Sequence, residues 1–404
     1  MANNNRAETS TISLETLPLI ALHRISRELA NSDCQRSSLH AYSLTSRRCC
    51  ASADVQRFER IHLRFSNQEQ FLREVQECKE VLLQDERFRL VRRLKVSPKV
   101  YRSGHGSDGL EKFEMDDFCR PPKRGVYYGT HWANAEESGK GWEALTSFVA
   151  ELPCLRDYIH AHSYYVPSTL LTAIEDVGCS LHIHNFMLRS LLQPKGHPHD
   201  VHPDDLALIT SPSLHSIAVP YAKYDSDGRV NYNREAALAM VQGMTPNLRH
   251  VCLRSVPVGA TPMLDRAFLT PRPLWQGFDP KQKAERANDS GRPQVISLVL
   301  DGYMQPEDFR ALTCCLDTCS LHAVTVRLPA GPRRIQIIQA IFKILVEGKF
   351  MAVQTLVISP VPLESIAAEL AMLESSSNSQ YLVDAVDNEI RLKKRAISRL
   401  SMAA

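Results

Sequence analysis

The sequence predicts an α/β protein, with a small helical module at the front of the chain and a long body of alternating strands and helices behind it. One observation is a pattern that recurs: Val91-x-x-Leu94-x-Val96, Leu214-x-x-Ile217-x-Val219, Leu248-x-x-Val251-x-Leu253, Val295-x-x-Leu298-x-Leu300, Leu321-x-x-Val324-x-Val326 and Val353-x-x-Leu356-x-Ile358. The last two apolar members of each copy are two residues apart and so share one face of a strand. A second observation is that helical spacings lie between the copies. A third is that residues 12–56 carry only helical spacings and end where the first strand pattern begins. With 404 residues the chain is long enough for a large core or for two domains, and 44% hydrophobic with 23% charged residues is a globular composition.

Residues 1–11 are polar, contain Asn3-Asn4-Asn5, and are expected to be disordered. Leu17-Pro18 then opens a helix in which Leu22, Ile25 and Leu29 follow at spacings of three and four. Pro18 suits a first turn, where a missing N–H costs nothing. Asn31-Ser32-Asp33 breaks the pattern, and a second helix carries Leu39, Tyr42 and Leu44 through to Cys49, with Ser37 or Ser38 as its cap. Two short amphipathic helices do not bury themselves, so this hairpin is expected to pack on a partner or on the body.

The body is expected over residues 57–373, beginning at Arg57 without a flexible linker. Ile61, Leu63 and Phe65 alternate as a first strand. Ser66-x-x-Glu69 reads as a capping box for a helix with Phe71, Leu72, Val75 and Cys78 inward. Further helices are expected at Trp142–Glu151, Ser168–Val177, Asn233–Gln242 ended by Gly243, Pro306–Cys315, Arg334–Glu347 and Leu363–Leu373. Leu155 to Tyr158 is a degenerate copy of the strand pattern. Two copies share an introduction, Ser211-Pro212-Ser213-Leu214 and Thr245-Pro246-Asn247-Leu248. Ser103–Lys140 and Thr270–Pro293 read as long surface loops. Residues 374–404 are expected to form a tail with a last helix carrying Ile390, Leu392, Ile397 and Leu400.

The hairpin resembles the F-box family, whose pattern starts Leu-Pro, runs through spaced aliphatics and closes on Ser-Arg-Arg. Leu17-Pro18, Leu22, Ile25, Leu29, Leu39, Leu44 and Ser46-Arg47-Arg48 carry the resemblance, while Leu19, Ile20, Ser38 and Cys49 depart from it. The body resembles the leucine-rich repeat family, whose strands stack in parallel along a solenoid. Its copies start at 214, 248, 295, 321 and 353, an uneven spacing, and the Asn or Cys that ties successive turns in that family is mostly missing. The fold expected is therefore a small helical F-box hairpin followed by an irregular leucine-rich-repeat-like solenoid. The alternative is a conventional α/β domain with a mostly parallel sheet.

Several constellations have residue types that could carry chemistry. His160, His162, His182, His184, His197, His199, His202, Asp204 and Asp205 offer imidazoles and carboxylates to a metal. Pro198 and Pro203 break the last stretch, which lacks a rigid frame for ligands, so no metal site is expected. Gly104-x-Gly106-x-x-Gly109 stands apart from the strand and helix that a dinucleotide site requires, and no cofactor is expected. No P-loop or nucleophile elbow occurs, and Cys314, Cys315 and Cys319 read as buried small apolar groups. The chain is not expected to be an enzyme.

A net charge of +3 argues against nucleic acid as the main partner. The 11 cysteines include no Cys-x-x-Cys pair, and reduced thiols are expected in an intracellular compartment. There is no signal-peptide core and no run of apolar residues able to span a membrane, so a cytoplasmic or nuclear location is expected. The basic run Glu389 to Arg395 fits nuclear import or, more simply, the solvated face of the last helix.

What the F-box resemblance implies is a substrate-recognition subunit of a cullin–RING ubiquitin ligase. Leu17, Pro18, Leu22, Ile25, Leu29, Leu39, Tyr42 and Leu44 would bind a Skp-type adaptor, and through it a cullin, while the body holds an unknown protein substrate for ubiquitin-dependent degradation. The alternatives are an interaction scaffold with no ubiquitin role and a metal-dependent hydrolase using the His160–Asp205 cluster.

Overall fold

A computed structural model of the chain describes residues 14–32, 37–98, 138–161, 166–184, 186, 188, 203–221, 236, 237, 239–255, 294–301, 316, 320–327, 334–346, 353–359, 381–386 and 389–394. Strands β1 (Arg60–Phe65), β2 (Arg93–Pro98), β3 (Asp157–His160), β4 (Ser180–Ile183), β5 (Leu214–Tyr221), β6 (His250–Ser255), β7 (Ser297–Asp301), β8 (Ala323–Arg327) and β9 (Thr355–Ser359) form one parallel sheet in chain order. Parallel neighbours need a crossover, and among the described residues helices lie in several of the crossovers. In front stand α1 (Leu19–Ser32), α2 (Ser37–Ser43) and α3 (Arg47–Phe58). Between strands stand α4 (Gln68–Leu83), α5 (Ser138–Ala150), α6 (Ser168–Val177), α7 (Pro203–Thr210) and α8 (Arg334–Val346). The chain is thus α/β, as its sequence predicts.

The recurring pattern builds the core. Ile217 lies in register with Val251, Val251 with Leu298, Leu298 with Val324 and Val324 with Leu356. Val219, Leu253, Leu300, Val326 and Ile358 form the next row, and all of these side chains are buried. The first members Val91, Leu248, Val295, Leu321 and Val353 are buried just before their strands, and Leu214 is buried as the first residue of β5. Phe71 and Val75 of α4, Leu145 and Phe148 of α5, and Leu170 and Ile174 of α6 close the core from the helical side. Helices α4, α5, α6 and α7 pack on one another in succession. Phe65 meets Phe71 at 4.5 Å between ring centroids, and Phe71 meets Trp142 edge-on at 5.9 Å.

The turns that introduce β5 and β6 are tied to their predecessors by side chains. The Ser211 hydroxyl donates to Glu175 Oε1 at 2.6 Å, Thr245 Oγ1 donates to the Ile209 carbonyl, and Asn247 Nδ2 donates to the Pro212 carbonyl at 2.8 Å. The residues of the shared Ser/Thr-Pro phrase thus satisfy polar groups of the segments that precede them.

Several sequence expectations are corrected. The front of the chain is not a two-helix hairpin. Ser46 ends the second helix pattern and caps a third helix, its side chain accepting from the Cys49 N–H. Pro18 precedes α1, its carbonyl accepting from Ala21 at 2.9 Å and Leu22 at 3.2 Å. Helix α3 crosses the boundary expected at residue 56 and leaves only Glu59 before β1. The cap of α4 is Asn67, which accepts from the Gln70 N–H, while Gln70 reaches back to Ser66 at 3.0 Å. Residues 203–205, read as the end of a proline-broken loop, are the first turn of α7, with Pro203 at its first position. Gly243 lies inside a π-helical turn, Met240–Met244, at φ +126°.

The expected last helix is a hairpin of β10 (Tyr381–Val386) and β11 (Glu389–Lys394), β11 running antiparallel to β9. Ile390 and Leu392 alternate with Arg391 and Lys393, which is strand spacing and not helix spacing. The expectations for residues 1–11, 270–293, 306–315 and 363–373, most of 103–140, Gly104 to Gly109, and His162, His197, His199 and His202 fall outside the described residues.

Candidate functional site

Two places offer chemistry to a partner: the free end of the helical module and the face of the sheet opposite the helices. The module has a core of its own. Leu22 of α1, Leu39 and Tyr42 of α2, and Cys49 and Ala53 of α3 are buried together, with Leu17, Ile25 and Leu29 packed against them. The Tyr42 hydroxyl lies 3.3 Å from the Leu22 carbonyl and 3.2 Å from Ser52 Oγ, and Ser26 Oγ donates to the Ser52 carbonyl at 3.1 Å. These bonds join all three helices, and burial raises the Tyr42 pKa so that the hydroxyl keeps its proton.

This arrangement corrects the expected binding face. Leu22, Leu39 and Tyr42 are interior, because α3 covers the surface that a hairpin would have left open. Leu17, Ile25 and Leu29 are half-buried, whereas Pro18 and Leu44 face solvent. Three residues that the spacing did not single out join the exposed pair: Leu14 is 41%, Leu19 49% and Ile20 80% exposed, beside 73% for Leu44. Arg48 Nη2 donates to the Leu17 carbonyl at 2.9 Å and holds the α2–α3 connection against the start of α1. One end of the module thus carries a group of large apolar side chains in water, which a partner would have to cover. Leu19 and Ile20, noticed only as departures from a family pattern, belong to it.

The second place follows from strand alternation. With Leu63 and Phe65 in the core, Arg60, His62 and Arg64 lie on the other face of β1, and Arg93, Lys95 and Ser97 lie beside them on β2. Asp157 of β3 receives Arg93 at 3.1 and 3.2 Å and lies 3.3 Å from Nε2 of His182 on β4. Nδ1 of the same ring meets the Ser216 hydroxyl of β5. An ionised carboxylate only accepts, so the His182 Nε2 carries a proton and donates it to Asp157. Burial works to raise the Asp157 pKa, but the His182 hydrogen bond and the Arg93 charge outweigh it and hold the carboxyl below its usual range.

Asp157, His182 and Ser216 are the residue types of a hydrolytic triad. Their setting does not suit one. A nucleophilic hydroxyl has to meet a substrate carbonyl, whereas Ser216 is wholly buried in mid-strand and Asp157 is shared with Arg93. The ladder joins β2, β3, β4 and β5 across the sheet. His160 lies in the apolar row on the helical face, in register with Val96 and Ile183, while His182 pairs with Ile159 on the opposite face. The sheet itself separates His160 from His182. No group of three or more His, Cys, Asp or Glu able to hold a metal occurs among the described residues. The expected Cys78 position is half-buried, and burial, helped by the Glu74 charge, pushes its thiol up to about 12.

His62 shows the field at the β1–β2 end. Its Nδ1 accepts from Arg64 Nε at 3.1 Å and its Nε2 lies 2.7 Å from Ser97 Oγ. Burial, followed by the positive charges of Lys95 and Arg64, lowers its pKa to about 2. Farther along, Ala218, Cys252 and Val299 make a small buried apolar cluster on this face. His250, in register with Ser216, is lowered to about 4 by burial, then by His182, His215 and Arg249.

The chain matches no protein-family model and no curated protein. Among the described residues no helix is long and apolar enough to cross a membrane.

Proposed function

We propose that the chain is an F-box-type substrate receptor of a cullin–RING ubiquitin ligase, whose helical module docks a Skp-type adaptor and whose body holds a protein substrate. The observation that carries this reading is the division of labour in the module. Leu22, Leu39, Tyr42, Cys49 and Ala53 form a core separate from that of the sheet, and Leu14, Pro18, Leu19, Ile20 and Leu44 are left in water at one end. A separate core with an uncovered apolar end suits a docking module better than an internal packing element. The body supports the reading through its sheet: strands in chain order with helices in succession suit a leucine-rich-repeat-like solenoid, which presents one broad face to a partner. On this reading the chain supplies proximity, and the chemistry belongs to other subunits.

The test is calorimetric titration of the full chain with a Skp-type adaptor. Submicromolar binding that falls about tenfold or more in Leu19→Asp with Ile20→Asp is expected, since each buried aliphatic contributes about 1 to 3 kcal/mol. A folded chain that gives no binding at micromolar adaptor removes the ubiquitin-ligase reading and leaves an interaction scaffold.

A further inference from the structure

We infer that the protein partner of the helical module presents an apolar surface rimmed by carboxylates, which Arg24, Arg27 and Arg47 meet. This partner chemistry sharpens the docking reading of the module and rests on it. Leu22 turns inward from α1 to the module core, so at 3.6 residues per turn Ile20, Arg24 and Arg27 fall on the outward side. All three are exposed. Arg24 and Arg27 follow Ile20 by about 6 and about 10.5 Å along the axis, at about 1.5 Å per residue. Arg47, also exposed, opens α3 just after exposed Leu44. The bond from Arg48 Nη2 to the Leu17 carbonyl brings the start of α3 to the start of α1. Arginines of two helices thus border the aliphatic group of Leu14, Leu19, Ile20 and Leu44.

The three guanidiniums carry charge that nothing nearby neutralises. Arg48 is committed to Leu17, but Arg24, Arg27 and Arg47 belong to no ion pair among the described residues. Residues 14–32 and 44–48 hold these four arginines against Glu15 and Glu28. Glu28 is exposed one turn beyond Arg24 and is in no ion pair there either, so it tempers the field without cancelling it. An uncharged apolar partner would strip water from these arginines and return nothing, whereas carboxylates meet a guanidinium with two parallel bonds. Aliphatics bordered by charge match an interface with a dry centre and a polar rim. A membrane fits less well. The apolar stripe Leu22, Ile25 and Leu29 of α1 is turned to the module core, and no exposed large apolar residue at this end is aromatic among the described residues, whereas an interfacial helix turns a broad apolar face with Trp or Phe outward. Nucleic acid would leave the aliphatics uncovered and find no aromatic platform.

The test titrates the full chain with a Skp-type adaptor and, by fluorescence anisotropy, with a labelled amphipathic peptide of Leu and Glu at helical spacing and its Gln twin. Adaptor binding is expected to weaken between about 0.01 and about 1 M salt, as the Debye length falls from about 30 to about 3 Å. Arg24→Gln with Arg27→Gln is expected to lose about tenfold, mostly in the association rate, at unchanged melting temperature. Arg24→Lys with Arg27→Lys is expected to keep most of the affinity, and Arg47→Gln repeats the loss from a different helix. Adaptor binding that ignores both salt and these variants overturns the acidic rim and leaves the ligase reading. Where the adaptor does not bind, the ligase reading falls and the peptides decide. A Glu peptide held at least about tenfold more tightly than its Gln twin keeps the acidic partner, and equal or absent binding overturns it. Phosphatidylserine vesicles or an oligothymidylate bound more tightly than the adaptor and the Glu peptide, and released by Arg24→Gln with Arg27→Gln, assign this end to a membrane or to nucleic acid and overturn the protein partner.

Discussion

His62 and His250 are poised to make stability depend on pH. Both are held neutral in the native chain, His62 down to about 2 and His250 down to about 4, against 6.5 for a free imidazole. The unfolded chain therefore binds protons below about pH 6.5 that the native chain refuses, so stability falls as the pH falls. Each site contributes at most about 1.4 kcal/mol per pH unit, and less for partly exposed His250 because solvent screens it. The contribution of His250 ends near 4, and that of His62 continues toward 2. Urea unfolding midpoints measured between pH 7 and 4 are expected to flatten in His62→Gln with His250→Gln (about 6.5 marking where the two curves part). Parallel curves for variant and parent would show that other groups carry the pH dependence. Neither histidine stood out in the sequence, since their burial depends on strands far apart in the chain.

Helix α1 presents two kinds of leucine within four residues. Leu22 is wholly buried against α2 and α3, while Leu19 is half-exposed and Ile20 mostly so. Leu22→Ala is expected to cost about 2 to 5 kcal/mol by opening a cavity, seen as an early loss of helical signal on heating. Leu19→Asp with Ile20→Asp is expected to shift the melting temperature by no more than about 2 degrees, as surface changes do, while removing adaptor binding. If the aspartate pair unfolds the chain instead, the exposed end is a packing surface and not a docking one. Spacing alone found α1 and α2 but placed Leu22, Leu39 and Tyr42 on a partner-facing surface. It could not show α3, whose buried residues Cys49, Ser52 and Ala53 are too small and weakly apolar to form a recognisable stripe.

The module and the body are joined at a short, well-contacted seam. Arg87 Nη2 lies 3.3 Å from Asp54 of α3, and its guanidinium stacks 4.7 Å from the Phe58 ring. The Glu59 carbonyl accepts from Arg92 and Arg93, both at 2.9 Å, and so ties the only connecting residue to β2. Arg87→Ala is expected to cost about 1 kcal/mol and to speed amide exchange in the last turn of α3 more than elsewhere. Uniform exchange would mean that the seam holds through the backbone alone. Within the sheet, Val251 stands between Ile217 and Leu298 in a row that crosses from strand to strand. Val251→Asp is expected to cost several kcal/mol by burying an unpaired charge. A soluble variant with an unchanged urea midpoint would contradict the burial of that row.

Strand faces were legible in the sequence because alternation is a local property. Leu248-x-x-Val251-x-Leu253 and its copies state which side chains point inward without reference to any neighbour, and Ser168–Val177 ends where Gly178 supplies a left-handed residue at φ +73°. The same alternation held the polar face as well, since Arg60, His62 and Arg64 interleave with Ile61, Leu63 and Phe65. What only the tertiary structure decided is which of those polar residues meet. Arg93, Asp157, His182 and Ser216 come from four separate strands, and their meeting depends on register, including the shift between Leu181 and His182 that rephases β4 against β5. Register is set by packing between distant segments, so a linear pattern of residues carries no record of it.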